Sequence, residues 1–223
     1  MSVMVRALLL AFVSLILLAC SDAEVAPSKP AAEQILTRTD GALLINGYFG
    51  LTMPVPAGWY SQNAEETMAL QRMASPMLSG SDRSRQALIE AAMASTVPVF
   101  GLFELPPGTP GKLNPNLIAN AENLQAVPGL ASGCDYLANA SELLRQSSFE
   151  IVALSDCRQQ LLAGRTFAVM DSEMRYGKQP IFQRIHVLMV KPYALSVVTT
   201  WFDDSSRQQV EAALAQLTMA EES

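Results

Sequence analysis

Histidine is nearly absent: His186 is the only one in 223 residues. One imidazole cannot build a histidine-rich metal site, and no Gly-x-Ser-x-Gly turn is present to supply a nucleophile for it. Basic clusters are also missing; Arg83/Arg85 is the densest pair. Nucleic acid binding needs phosphates neutralised, so no nucleic acid partner is expected. Electrostatic attraction to anionic lipid is equally unsupported. Cysteine is limited to Cys20, Cys134 and Cys157. No catalytic motif follows Cys20, and no cofactor is expected.

The N-terminus carries the strongest signal. Arg6 provides a positive start, and Ala7 to Leu18 form a 12-residue run broken only by Ser14. At about 1.5 Å per residue this helix falls short of the roughly 30 Å hydrocarbon core. Ala19, small, precedes a cleavage point, as a signal peptidase requires. Leu17-Leu18-Ala19-Cys20 then reads as a bacterial lipobox, in which the Cys20 thiol is acylated before cleavage. Leu17 and Ala19 fit the pattern well; Leu18 is bulkier than usual. Acyl chains contribute about 0.8 kcal/mol per buried CH₂, enough to anchor the chain stably. Ser21 after the cysteine points, by analogy with enterobacterial sorting, to the outer membrane. The expected organisation is therefore a signal peptide over 1–19, a lipidated tether over 20–42 and one globular domain over 43–220. Pro27, Pro30 and several alanines, with little periodicity, support the tether.

From Cys20 onward lie all 21 acidic and 14 of the 15 basic residues, a net charge of −7. A hydrophobic content of 50% against 16% charged residues describes a domain able to bury a full core. With Cys20 lipidated, Cys134 and Cys157 could close a disulfide in an oxidising envelope compartment. The loop of about 24 residues would contribute roughly 3 kcal/mol on the chain-entropy model. The alternative is two reduced, buried cysteines acting as small apolar residues.

Periodicity places the elements. Leu43 to Val55 suggests a short hairpin, with Pro54 and Pro56 at an edge or strand end; Gly58-Trp59-Tyr60 starts another strand. Asn63 is a good N-cap for a helical stretch reaching Ser95, interrupted at Ser75-Pro76 and Ser79-Gly80-Ser81. Strands are expected over 97–105 and 116–122. Ser132 caps a helix over 133–146 facing inward through Cys134, Leu137, Ser141 and Leu144. A hairpin of 149–155 with 157–162 follows. Three long strands come next, over 165–175, 181–191 and 193–202. Ser205 with Gln208 reads as a capping box for a last helix whose buried stripe is Val210, Ala213, Leu214 and Leu217. Both registers of the middle long strand are apolar, as in a strand covered on two faces. Short loops imply antiparallel neighbours. The fold class is α/β in the α+β sense: an α/β/α sandwich on a mostly antiparallel sheet.

Several stretches together resemble the PsbP/Mog1-like superfamily, and within it the bacterial DcrB-like lipoproteins. They are Tyr48-Phe49-Gly50-Leu51-Thr52-Met53-Pro54-Val55-Pro56-Ala57-Gly58-Trp59, then Asn114-Pro115-Asn116-Leu117 with Ala121-Glu122-Asn123-Leu124. Pro128-Gly129, Asp135-Tyr136-Leu137 and Gly164-Arg165-Thr166-Phe167 follow, with Gln183 in a second long strand. The long 63–95 segment departs from the pattern. Members of that superfamily bind partner proteins and share no catalytic motif. The resemblance thus implies a domain that binds or helps assemble another envelope protein, not an enzyme.

Other chemistry has few footholds. His186 could join Asp171 and Glu173 in a hydrolase site of scattered residues, though a core histidine is the plainer reading. Asp171, Glu173 and Arg175 share a strand face, where Glu173–Arg175 pairing is the simple account. Asp203-Asp204 could bind a metal but better suits a helix cap. Met68, Met73, Met77 and Met93 could dock partners or bind soft Cu(I), yet core packing explains them. A small-molecule or metal-binding module is the remaining alternative.

Overall fold

The structure, a computed structural model, describes residues 35–79, 83–125, 127 and 129–220. Cys20, the signal segment and most of the expected tether lie outside those residues.

Two antiparallel sheets form the frame. The small one has the order β1 (Arg38–Asp40), β2 (Leu43–Asn46), β3 (Leu51–Pro54) and β12 (Thr218–Met219). The large one runs β4 (Tyr60–Gln62), β5 (Thr96–Phe103), β6 (Asn116–Asn123), β11 (Tyr193–Trp201), β10 (Gln179–Val190), β9 (Arg165–Tyr176) and β7 (Glu150–Leu154). β8 (Arg158–Leu162) also pairs with β9. The folded part starts earlier than the expected boundary at residue 43. Arg38–Asp40 pairs with β2, and Ile35 is fully buried, its carbonyl accepting from Asn46 Nδ2. One apolar residue and one buried amide outweigh the prolines upstream. At the other end the chain returns to the same sheet. Gly50 at φ 60° turns the chain where a Cβ would lie 2.8 Å from Ala220 Cβ, and its carbonyl accepts from the Ala220 amide.

Alternation in the large sheet divides its side chains between two covers. Phe167, Val169, Leu188, Leu195, Val197, Leu117, Ala119 and Ala121 face the small sheet and helix α4 (Asp204–Leu214) in one core. Ala168, Met170, Ile185, Val187 and Ala194 face helix α3 (Gly133–Arg145) through Leu137 in a second. Gly133 permits this approach: a Cβ there would meet Ala168 Cβ at 2.7 Å and the Val187 carbonyl at 3.2 Å. The α3 face also carries α1 (Ala64–Ser79) and α2 (Arg83–Ala94), with Gln71 of α1 bonded to Asn120 of β6. Helices thus cover both faces of an antiparallel sheet, the α/β/α sandwich that the patterning implied.

Three local expectations are corrected. The first helix does not stop at Ser75-Pro76 but continues to Ser79. Asn63 and Glu66 close a reciprocal cap at its start, and the packed face carries the helix past one missing N–H. Residues 149–162 do not form a hairpin with one another: β7 and β8 lie end to end along the same edge of β9. The real hairpin is β8–β9, turned by Ala163 at φ 51° and Gly164 at φ 77°, the two positive values that a type I′ turn needs. The last helix is capped two residues earlier than Ser205, at Asp203. Asp203 accepts from the Ser206 amide at 2.8 Å while the Ser206 hydroxyl accepts from the Asp203 amide at 3.0 Å.

Candidate functional site

Helices cover only the flanks of the α3 face. α1 and α2 lie over the β4–β5 side and α3 over β9–β10. The two middle strands, β6 and β11, turn Asn120, Glu122 and Ser196 toward this face, opposite the apolar register of Leu117, Ala119 and Ala121. A polar floor gives a helix nothing to bury, and the gap stays open as a cleft of about 520 Å³. That volume lies in the range of small-molecule sites. The walls are apolar: Ile89, Ala92 and Met93 on one side, Ala140 and Leu143 on the other, with Val127 and Leu130 at the end.

Two polar pairs mark the floor. Gln71 Nε2 donates to Asn120 Oδ1 at 2.8 Å, tying α1 to β6. Tyr136 of α3 donates its hydroxyl to Glu122 Oε2 at 2.7 Å. Burial raises the Glu122 pKa above the usual carboxylate range, and the tyrosine hydrogen bond partly offsets that rise. Tyr136 is pushed well above its ordinary value, by burial first and then by the neighbouring carboxylate. It therefore stays a phenol and remains the donor. Among the described residues no lysine, arginine or histidine lines the cleft. The arrangement can accept a hydrogen bond or a positive charge at its base and apolar matter along its walls. It offers no nucleophile paired with a base.

The residues singled out in the sequence lie elsewhere. His186 is fully buried on the opposite, α4 side of the sheet. Its Nδ1 sits 3.3 Å from the Val197 carbonyl, its ring meets Phe167 edge-on, and Nε2 has no hydrogen-bond partner. Burial pushes its pKa down to about 4, against the opposing pull of the Val197 carbonyl. Asp171 is held by Arg184 at 2.6 Å and Arg158 at 2.9 Å, and Arg184 continues to Glu211. Arg175 pairs with Glu150 across to β7 at 3.8 Å, which corrects the expected Glu173–Arg175 pairing. The structure places Asp171 and Glu173 on the β9 strand beside β10 but brings neither into hydrogen bond with His186. A ring with no exposed surface cannot meet a substrate, so the scattered hydrolase site is not assembled there. Asp203 caps α4, as the plainer reading had it.

Cys134 and Cys157 form a disulfide, with Cα atoms 5.7 Å apart. It pins the first turn of α3 to the seam between β7 and β8. Met73 is 70% exposed and Met68 36%, so these two are not core residues as expected; Met93 lines the cleft. Among the described residues no group of three or more ligating side chains gathers for a metal. Glu122 and Tyr136, the pair at the base of the cleft, were missed. The available signal was the alternation of Asn116 to Asn123, which puts amide and carboxylate on a register that a helix should cover.

No family model matches the chain, and no curated protein matches it. Solved structures do. A cyanobacterial PsbP from Synechocystis is 8% identical, with a TM-score of 0.42, covering 82% of this chain and 95% of its own. LpqN of Mycobacterium tuberculosis, described as involved in cell envelope biogenesis, is 13% identical with a TM-score of 0.38, covering 77% and 83%. A Pseudomonas aeruginosa protein of unknown function, described as a putative regulator, is 14% identical with a TM-score of 0.40, covering 55% and 83%. At these scores the fold described above rests on its own strands and helices. No helix among the described residues is long and apolar enough to cross a membrane.

Proposed function

We propose that this chain is an envelope lipoprotein whose folded domain binds rather than catalyses. Lipid on Cys20 holds it at a membrane facing the periplasm, in the outer membrane by the Ser21 rule. The DcrB-like resemblance of the sequence belongs to the same proposal. In it, the cleft between α1–α2 and α3 receives an apolar group presented by another envelope protein. The observation that carries the reading is the cleft itself, whose walls are apolar and whose described floor residues pair no nucleophile with a base.

Two experiments test the two halves. Metabolic labelling with a palmitate analogue should mark the wild-type protein and leave Cys20→Ser unlabelled and released from membranes; equal labelling of both ends the anchor. A photo-crosslinking amino acid in place of Val127, at the cleft's exposed end, should give one discrete envelope adduct that Ala140→Trp removes. A ladder of adducts unchanged by that substitution counts against the cleft. A second reading, a free small molecule in the same place, is favoured by one specific observation: a half-buried carboxylate on the floor with no basic side chain beside it among the described residues.

A further inference from the structure

The chemistry at the base of the cleft narrows what can fill it. Glu122 points one oxygen at Tyr136, which donates and cannot neutralise it. No basic side chain lines the cleft among the described residues, so a negative guest would meet the Glu122 carboxylate with none of them to offset the repulsion. That disfavours fatty acids, phosphates and other anionic head groups. Neutral apolar guests gain only from the walls. A cation at the end of an aliphatic stem gains from both: its stem lies along Ile89, Met93 and Leu143 while its head pairs with Glu122. The neighbouring floor groups, Asn120 and Gln71, are already bonded to each other, which leaves Glu122 as the charge the guest reads. Charge-assisted hydrogen bonds are the stronger class.

We infer that the cleft is a binding site for a small aliphatic ammonium compound, seated with its positive head on Glu122 and its apolar stem between α2 and α3. The inference rests on the second reading of the cleft given above and names its ligand class.

The test uses three probes with one tail: octylamine, 1-octanol and octanoate, below their aggregation limits at neutral pH. Each is titrated calorimetrically into residues 20–223 carrying Cys20→Ser, which removes the lipid as a competing sink. Octylamine should bind about tenfold or more tightly than octanol, and octanoate weakest, the tenfold step corresponding to about 1.4 kcal/mol. Glu122→Gln keeps an oxygen for Tyr136 but loses the charge, and should bring octylamine to within about threefold of octanol, the size of a neutral hydrogen-bond difference. That variant also separates the cleft from general attraction to an acidic protein, which would survive it. Ala140→Trp should abolish all three. If all three probes bind equally and Ala140→Trp removes them, the cation assignment falls while the cleft stands as a small-molecule site. If no probe binds, both fall. Preference for octylamine that persists in Glu122→Gln also overturns the assignment.

Discussion

The two faces of the large sheet are built to different standards. The face under the small sheet and α4 is sealed: Phe167, Leu117, Leu195 and Val197 have no exposed surface, and even His186 is enclosed. The face under α1, α2 and α3 is packed on its flanks and open over β6 and β11. The same strands supply both, by alternation alone. On the sealed side the middle strands present Leu117, Ala119, Ala121, Leu195 and Val197; on the open side they present Asn120, Glu122 and Ser196. One face is spent on stability and the other is left available for a guest.

The contrast can be broken from either side. The largest effect is expected from Phe167→Ala, which empties the sealed core. It should cost about 3–5 kcal/mol in urea unfolding, because a packed aromatic leaves a cavity. A cost below about 1 kcal/mol would show that the core there can collapse.

His186 gives the sealed face a pH signature. Its folded pKa lies near 4 and its ordinary value is 6.5. Above pH 6.5 neither state is protonated there and the stability is whole. As pH falls from 6.5 to about 4 the unfolded chain takes the proton first, and stability drains away; below that both states carry it. The full shift corresponds to roughly 3 kcal/mol. His186→Leu should flatten this part of the pH profile relative to wild type. Parallel profiles would mean that the ring is hydrated.

The open face relies on its covalent tie. Replacing both Cys134 and Cys157 with serine should lower stability by about 3 kcal/mol or less on the chain-entropy model, for the 23-residue separation they close. Hydrogen exchange should then rise in α3 before it rises in α4. Equal loosening of both helices would erase the distinction between the faces. The smallest effect is expected at Asp203→Ala, a lost N-cap on the sealed side worth about 1 kcal/mol, read as a modest drop in thermal midpoint.

Much of this architecture was visible in residue order. The three long strands and their short turns followed from apolar runs bounded by Gly177 and Pro192. The cap at Ser132 and the stripe Val210, Ala213 and Leu214 followed from helical spacing, and the structure shows both; Leu217 is buried too, but past the end of the helix. What escaped notice was non-local. Nothing near Arg38–Asp40 announces a strand, because its partner and the buried Ile35 supply the reason for it. The pairing of β8 with β9 depended on whether Ala163 would adopt a positive φ, which composition around it does not reveal. Asp203 and Ser205 were competing caps two residues apart, and only the extended backbone at Asp203 decides between them. The cleft was least legible. Its lining comes from six elements and one loop between residues 71 and 196, and no short stretch contains it.

The strand order also sets a timetable. β8, β9, β10 and β11 follow one another in the chain and neighbour one another in space, joined by turns of two residues. β6 must reach β11 across some seventy residues, as Asn120 opposite Ser196 shows. Short closures are made sooner than long ones. The C-terminal meander should therefore acquire protected amides first, with β5 and β6 zipping on afterwards. Since β6 and β11 together make the cleft floor, the place where a guest can sit is created by a long-range pairing and not by the local meander.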